Sequence, residues 1–358
     1  ITSVEAWRYR HHYLVRTTCK DGDDGVVVVN NRLEYLWPIL QQFVVPYLLG
    51  KDGRDLPALV DDVYTYRSAY KLAGIALWNP VAYVELSLLD LMGKKIDRSV
   101  GAMFGPVIRD RIPVYLSSLR RDTTAEEEVA WLGQRLDETG ADAVKLKIGG
   151  RMSRNADAFP GRTDRLIPLA RDTFGDDVTI YVDANGSYDA EGAIEVAALL
   201  KDYGVAFLEE PCPWQEYGKT KRVADALTLP VAGGEQDSSL ERFRWMIENR
   251  AVDIVQPDMM YNGGMIRALR VAEMAQQTEM PVMPHSPKVG AESAAVLHFA
   301  SILPNLGPHQ EYRGEYIPPE AWYAPNFELK DGEVPVPDGP GLGIDYDPAI
   351  WDEAEQLF

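Results

Sequence analysis

The sequence predicts an α/β protein in which a barrel of parallel strands follows a smaller α+β domain. Three observations support this prediction. Short β-rich runs alternate with helix-length stretches from residue 112 onward, eight such runs occur, and the residues before 112 lack the alternation. Strand–helix alternation indicates βαβ units with parallel pairing, and eight units favour a closed (β/α)8-type barrel.

The residues up to about 112 combine strands with helices. Residues 13–17 and 26–29 are rich in Val, Leu and Thr and flank an Asp/Gly turn at 21–25, which predicts two strands. Residues 79–94 carry apolar side chains at helical spacing. Pro80 suits the first turn of this helix and Gly93 suits its C-terminal cap.

The barrel strands are predicted from short apolar runs. They cover residues 112–116, 143–148, 179–183, 206–209, 231–233, 253–256, 281–283 and 305–310. Intervening stretches such as 125–139 and 191–203 have helical periodicity. The tail is rich in Pro and Gly, and we expect it to pack back on the first domain.

Charge and composition exclude several partners. The chain has 36 Lys and Arg against 55 Asp and Glu, a formal net charge of −19, so we expect no nucleic acid and no membrane partner. Cys19 and Cys212 cannot form a disulfide framework. No apolar run approaches the ~20 residues that span a bilayer, and no signal peptide is recognised. We expect a cytoplasmic protein whose natural start is missing, because the sequence opens with Ile1.

Polar residues recur at the predicted strand ends. They are Asp183, Glu209, Glu235, Asp258, His285 and Glu311, at successive intervals of 26, 26, 23, 27 and 26 residues. Each interval matches one β/α unit, and each residue lies at the C-terminal end of its strand, where barrel active sites form. We therefore expect these side chains to converge on one pocket.

Three of these carboxylates predict a cation site. Asp183, Glu209 and Glu235 follow neighbouring strands, and like charges that close cannot all stay ionised without a countercharge. An all-oxygen site suits a hard divalent cation. Mg²⁺ is the first choice, because it prefers octahedral oxygen and keeps positions for water and substrate.

Two further pairs indicate proton transfer. Lys145 and Lys147 are two apart in a strand and share a face, so each ammonium is expected to depress the pKa of the other and favour a base near neutrality. Asp258 can accept a hydrogen bond from His285 on the adjoining strand and fix its tautomer. We expect Lys147 and His285 to face a substrate from opposite sides.

These residues lie in an ordered series of motifs. The motifs are Lys145-Leu-Lys147, Val182-Asp-Ala-Asn185, Leu208-Glu-Glu-Pro211, Gly234-Glu-Gln236, Gln256-Pro-Asp258 with Asn262-Gly-Gly264, Pro284-His-Ser286, and Glu311. In this order they resemble the enolase superfamily, specifically its mandelate racemase subgroup, over about residues 112–325.

The resemblance implies a fold and a cofactor. The fold is α/β, a modified TIM barrel (β/α)7β with an α+β capping domain built from both termini. The implied division is 1–112 for the N-terminal capping domain, 113–325 for the barrel and 326–358 for the returning C-terminal segment. One Mg²⁺ per active site would be held by Asp183, Glu209 and Glu235.

The resemblance also implies catalytic roles. Lys147 is one base, with Lys145 as the neighbour that tunes its pKa. His285, oriented by Asp258, is the other base.

Other residues of the motifs have implied roles around the substrate. Glu311 would hydrogen-bond the substrate carboxylate, for which a protonated carboxyl is one suitable form, and Asn185 would contact the substrate or support the site. Glu210, beside the ligand Glu209, is expected to point to the opposite face and to be structural.

The shared reaction step is removal of the proton α to a carboxylate, which Mg²⁺ makes feasible by stabilising the enediolate. The commonest outcome in the subgroup is loss of the β-hydroxyl of a sugar acid, an aldonate or aldarate, to give a 2-keto-3-deoxy acid. His285 would protonate the leaving group. The alternative is a two-base racemase or epimerase of a 2-hydroxy acid or sugar acid. A cycloisomerase is disfavoured, since that subgroup places a lysine where this chain has Asp258 and His285. Family habit suggests a homo-oligomer.

Specificity is less well indicated. Where the family often has Gly-x-Gly-Glu, this chain has Gly25-Val-Val-Val-Val-Asn30. The loop after the second barrel strand carries Arg151, Arg154 and Arg162. These arginines either hold a distal carboxylate, which would favour an aldarate over an aldonate, or belong to a solvated loop.

Overall fold

The computed structural model describes residues 1–358. Its strands are β1 (Ser3–Tyr9), β2 (His12–Thr18), β3 (Asp24–Val29), β4 (Arg111–Ser117), β5 (Ala143–Lys147), β6 (Thr179–Asp183), β7 (Leu208–Glu209), β8 (Val231–Gly233), β9 (Ile254–Val255), β10 (Gln310–Arg313), β11 (Tyr323–Ala324), β12 (Glu333–Pro335), β13 (Asp345–Tyr346) and β14 (Glu355–Gln356). Its α-helices are α1 (Leu33–Ile39), α2 (Val45–Leu48), α3 (Leu56–Asp62), α4 (Ile75–Ile96), α5 (Val100–Phe104), α6 (Ala125–Thr139), α7 (Arg162–Phe174), α8 (Ala190–Asp202), α9 (Tyr217–Ala226), α10 (Leu240–Glu248), α11 (Met259–Asn262), α12 (Met265–Gln276), α13 (Ala294–Ile302) and α14 (Ile350–Glu353).

An antiparallel sheet forms the capping layer. Its order is β14-β1-β2-β3, so the last strand of the chain lies beside the first. The sheet packs on α4, and the approach at Gly25 is close: a Cβ there would lie 2.0 Å from the carbonyl oxygen of Ser87. Only glycine allows β3 and α4 to meet at this distance.

The long helix α4 is the core of the capping domain. It extends beyond the predicted 79–94, and its C-terminal cap is Asp97, which has a left-handed conformation (φ 53°). Gly93 is therefore not the cap. It lies inside the helix, where a Cβ would come within 2.7 Å of the Cα of Gly341.

By length and hydropathy, α4 is the one helix that could span a membrane. However, 83% of its most apolar 18-residue stretch is buried inside the protein, as in the core helix of a globular fold.

The barrel follows as a curled parallel sheet. The order is β10-β4-β5-β6-β7-β8-β9, and single parallel bridges from Val255 to Val282 and from Val282 to Leu306 continue it. The predicted strand 281–283 is thus reduced to one bridge. The predicted strand 305–310 forms only in part: Leu306 pairs with Val282, and β10 begins at Gln310 after Pro308. Proline lacks the N–H that a ladder needs, which explains these interruptions.

Two buried acids of α4 hold the layers together. Glu85 accepts the first backbone N–H groups of α12, from Met265 at 2.9 Å and Ile266 at 2.7 Å. Asp90 accepts N–H groups from Val26 in β3 and Leu342 in the C-terminal tail. One helix therefore fixes the barrel, the capping sheet and the tail relative to one another.

Candidate active site

Three carboxylates meet at the C-terminal ends of neighbouring strands. Asp183 ends β6, Glu209 ends β7 and Glu235 follows β8. All three are buried, and one oxygen from each lies within 4.8 Å of the others. The parallel strands bring them together, as the spacing predicts.

The chemistry of this oxygen set fits a divalent cation. Glu235 Oε2 is buried and forms no well-aligned hydrogen bond, although His285 Nε2 lies 3.2 Å away. Burial and the charges of Asp183 and Glu311 raise the pKa of Glu209 to about 8, although Lys145 opposes the shift. Oxygen ligands with excess negative charge are what Mg²⁺ prefers. The three residues could hold such an ion.

A fourth carboxylate lies beside the three. Glu210 has φ 41°, so the strand alternation that would point it away from Glu209 does not apply. Its Oε2 accepts a hydrogen bond of 3.4 Å from the Asn185 amide, and its buried Oε1 has no partner. Burial and the charges of Glu235 and Asp183 raise its pKa well above the usual range. The expectation that Glu210 points to the opposite face is wrong.

The two lysines of β5 bind different carboxylates. Lys145 is fully buried and donates to both oxygens of Glu209, at 3.0 and 2.8 Å, and lies 2.7 Å from Glu311. Lys147 contacts Asp183. Burial lowers the pKa of Lys145, but the two carboxylates outweigh it and raise the pKa well above its usual value. Lys145 is therefore held as an ammonium, two residues from Lys147.

His285 lies between Asp258 and Glu235. Its Nδ1 is 2.8 Å from Asp258 Oδ2 and its Nε2 is 3.2 Å from Glu235 Oε2. Asp258 also accepts the backbone N–H groups of Met260 and Tyr261 and so caps α11. Burial lowers the pKa of His285, but Glu235, Glu311 and Asp258 outweigh it and raise the pKa to about 10. The imidazole presents Nε2 to the carboxylate cluster.

Glu311 lies next to Lys145 and His285 at the edge of the carboxylate cluster. Ser117 donates to its Oε1 at 2.7 Å, and the backbone N–H of Ser286 donates to its Oε2 at 2.8 Å. Burial raises its pKa, but Lys145, His285 and Lys147 lower it to about 2 overall. The cationic groups around Glu311 therefore favour its ionised form.

Asn185 joins the carboxylates to a group of arginines. Its Nδ2 donates to Asp183 Oδ2 at 2.9 Å, and its Oδ1 accepts from Arg121 at 2.9 Å and from Arg151 at 3.4 Å. Burial lowers the pKa of Arg121, and the neighbouring Arg151 and Arg162 act in the same direction.

Sequence reasoning missed several of these residues. Gln256 donates to Glu209 Oε2 at 3.0 Å, and its position at a strand end was the available signal. Ser117 also ends its strand. Arg121 had no such signal, because an arginine in a polar loop is ordinarily solvated and only the fold brings it to Asn185.

This arrangement brings buried carboxylates, which fit a cation, together with a lysine and a histidine at the rim of a (β/α)-barrel, as in enzymes of this fold. The family follows from comparison with known proteins. The family model described as Enolase C-terminal domain-like matches residues 127–350. The chain belongs to the enolase superfamily, with relatives in the mandelate racemase subgroup.

Relatives with known names are similar over most of their length. Arabinonate dehydratase of Saccharolobus solfataricus is 29% identical over 341 residues, which cover 92% of this chain and 87% of the relative. D-Galactonate dehydratase of Ralstonia pickettii is 28% identical over 321 residues, which cover 85% and 80%.

Solved structures share the whole fold. A proposed racemase from Roseobacter denitrificans is 35% identical, with a TM-score of 0.92 and coverage of 99% of this chain and 98% of that one. A mandelate racemase/muconate lactonizing protein from Paracoccus denitrificans PD1222, complexed with magnesium, is 26% identical. Its TM-score is 0.90, with coverage of 100% of this chain and 98% of that one.

Proposed function

We propose that this protein is a Mg²⁺-dependent dehydratase of a sugar acid. The observation that carries the proposal is the placement of His285 and Lys147 at different ends of the carboxylate cluster: Lys147, in β5, contacts Asp183, and His285, in the loop after the Val282 bridge, contacts Glu235. The arabinonate and galactonate dehydratases among the relatives support the same reaction class.

The residues divide the reaction between them. Asp183, Glu209 and Glu235 hold one Mg²⁺, which when bound stabilises the negative charge that develops on the substrate carboxylate. Lys147 removes the proton from the carbon next to that carboxylate. His285 donates a proton from Nε2 to the departing β-hydroxyl, and Asp258 holds the imidazole in the orientation that this transfer needs.

Lys145, Glu311 and Asn185 support these steps. Lys145 places a positive charge between Glu209 and Glu311 and offsets their negative charge. Glu311 hydrogen-bonds the substrate carboxylate, for which it takes up a proton. Asn185 fixes Asp183 and contacts the substrate hydroxyl beside it.

The proposal extends to the domain division, the oligomeric state and the cellular location of the protein. The divisions 1–112, 113–325 and 326–358 act as capping domain, barrel and returning segment, supported by the pairing of β14 with β1. Family habit favours a homo-oligomer. The free cysteines Cys19 and Cys212 favour the cytoplasm.

Proton NMR in D₂O tests the reaction. The protein with Mg²⁺ is incubated with a panel of aldonic acids, aldaric acids and 2-hydroxy acids, beside the His285→Asn variant. We expect a new 2-keto-3-deoxy acid with the native protein. With His285→Asn we expect exchange of the α-proton for deuterium without product, since Lys147 remains. Loss of the α-proton signal from an otherwise intact acid with the native protein would instead establish the racemase or epimerase. An unchanged panel would contradict both.

A further inference from the structure

Arg121, Arg151 and Arg162 lie near one another without an ion-paired carboxylate. Arg121 follows β4, Arg151 follows β5 and Arg162 begins α7. Ten of the 24 arginines form ion pairs with carboxylates, and these three are among the fourteen that form none. A guanidinium group without a carboxylate partner can bind an anion from outside the chain when its donors are free.

Arg162 is already occupied by the protein. Its Nε donates to the carbonyl of Thr123 and its Nη1 to the carbonyl of Lys147, both at 2.8 Å. The side chain therefore holds the loop at Thr123, after β4, against the end of β5 at Lys147. The arginines with free donors are therefore Arg121 and Arg151.

Arg121 and Arg151 have most of their donors available. Arg121 uses Nη2 for the Asn185 amide oxygen and the Asp183 carbonyl, while its Nε is buried without an acceptor. Arg151 uses only one side-chain nitrogen, also toward Asn185. Because a buried N–H without an acceptor is costly, Arg121 Nε points to a ligand that completes the site.

The loop that carries Arg151 is held in an unusual conformation. Arg151, Met152, Arg154 and Asn155 all have positive φ, between 50° and 69°. Contacts with the next strand loop maintain it: the Arg151 N–H donates to Ser187 Oγ at 2.9 Å and the Met152 N–H to the Asn185 carbonyl at 3.0 Å. Such strain is kept where the surrounding structure determines it, commonly at ligand sites.

Resting on the proposed function, we propose that Arg121 and Arg151 bind a second carboxylate at the far end of the sugar acid, so that the substrate class is the aldarates. Asn185 separates the two guanidinium groups from the metal ligand Asp183 by a single side chain. Under this proposal one extended diacid has its first carboxylate at the acidic cluster and its second at the two guanidinium groups. A guanidinium group matches a carboxylate with paired N–H donors, which a terminal hydroxymethyl group of an aldonate cannot use as well.

Calorimetric titration measures this preference directly. Pairs of aldarates and aldonates that differ only at the last carbon, beginning with galactarate and galactonate and extending to the other six-carbon configurations, are titrated into the Mg²⁺-loaded His285→Asn protein. We expect the best aldarate to bind at least about tenfold tighter than its aldonate, the size of one charged hydrogen bond. Arg121→Gln and Arg151→Gln should each weaken the aldarate about tenfold and the aldonate less than twofold. Arg154→Gln is the matched control in the same loop and should change neither.

The titrations can overturn the proposal of an aldarate substrate in several ways. Equal affinity for diacid and monoacid, no binding of any aldarate, or equal weakening of both by the two variants would overturn the inference. A preference for an aldonate phosphorylated at its last carbon would also overturn it, because the anion would then be a phosphate. Dehydration of aldonates by the native protein in the NMR assay would leave the proposed function intact whichever acid binds more tightly.

Discussion

His285 Nδ1 lies 2.8 Å from Asp258 Oδ2, and the other oxygen of the same carboxylate accepts the N–H groups of Met260 at 2.8 Å and Tyr261 at 3.0 Å. The helix that Asp258 caps therefore fixes the side chain that orients the imidazole. The tautomer of His285 and the position of α11 are set by one carboxylate.

Asp258→Asn separates these two roles. The asparagine oxygen can still cap α11, but its NH₂ group faces Nδ1 and favours the wrong tautomer of His285. We expect kcat to fall about 10³-fold or more, by analogy with other His–Asp pairs, with little change in Tm. Asp258→Ala, which removes the cap as well, should lower both kcat and Tm. Full activity of Asp258→Asn would show that Asp258 does not control the histidine.

The carboxylate cluster predicts stabilisation by metal. If Mg²⁺ binds the folded site as proposed, a Mg²⁺ concentration about 100-fold above the dissociation constant should add about 2.7 kcal/mol to the free energy of unfolding. Thermal denaturation with and without Mg²⁺ measures this effect. Glu235→Gln should lose most of the shift, while Asp172→Asn, an exposed acid on α7, should retain it. An equal shift in both variants would contradict the ligand assignment.

The buried carboxyl group of Glu85 should make the free energy of unfolding of the protein depend on pH. Burial raises its pKa from 4.5 to about 7, although the N–H groups of Ile266 and Met265 oppose the shift. A raised pKa means that the folded state binds the proton more tightly. This contribution to stability is present below pH 4.5 and is lost as the pH rises to about 7.

Comparison with Glu85→Gln isolates this group. Between pH 4.5 and 7.5, the free energy of unfolding of the native protein should fall by about 3 kcal/mol relative to the variant. Denaturant unfolding at several pH values measures the difference. A difference independent of pH would show that Glu85 titrates normally.

Gly149 precedes the loop that carries Arg151. Its φ is 60°, and a Cβ would lie 2.5 Å from the side chain of Ser187. Gly149→Ala should therefore lower the free energy of unfolding by about 3 kcal/mol, from backbone strain and overpacking together. Gly161→Ala is the control, since it has φ 76° with open space around it and should cost about 1 kcal/mol. Equal costs would mean that Ser187 moves aside freely.

Much of the barrel could be predicted because its signals are local. The helix predicted at 125–139 has those bounds in the structure, and Asp183, Glu209 and Glu235 meet because parallel strands end at one rim. The strand predicted at 305–310 pairs at Leu306 and is then interrupted at Pro308, which has no N–H for the ladder.

The remaining errors come from contacts between distant residues. Glu210 departs from strand alternation through a backbone angle that no sequence pattern shows. The partners of Lys145 were also not predicted, because Glu209 and Glu311 lie 64 and 166 residues further along the chain. Arg121 meets Asn185 only after three strands have paired.

The contact between Glu85 and the start of α12 restricts how the two domains can be exchanged among relatives. A Cβ at Gly264 would lie 2.1 Å from the Glu85 carboxylate, so the acid and the glycine must be inherited together. A chimaera that transplants a foreign capping domain onto this barrel, to change its choice of acid, has to bring an acceptor at position 85. Without it, the first backbone N–H groups of α12, at Met265 and Ile266, would be buried between the two domains with no acceptor.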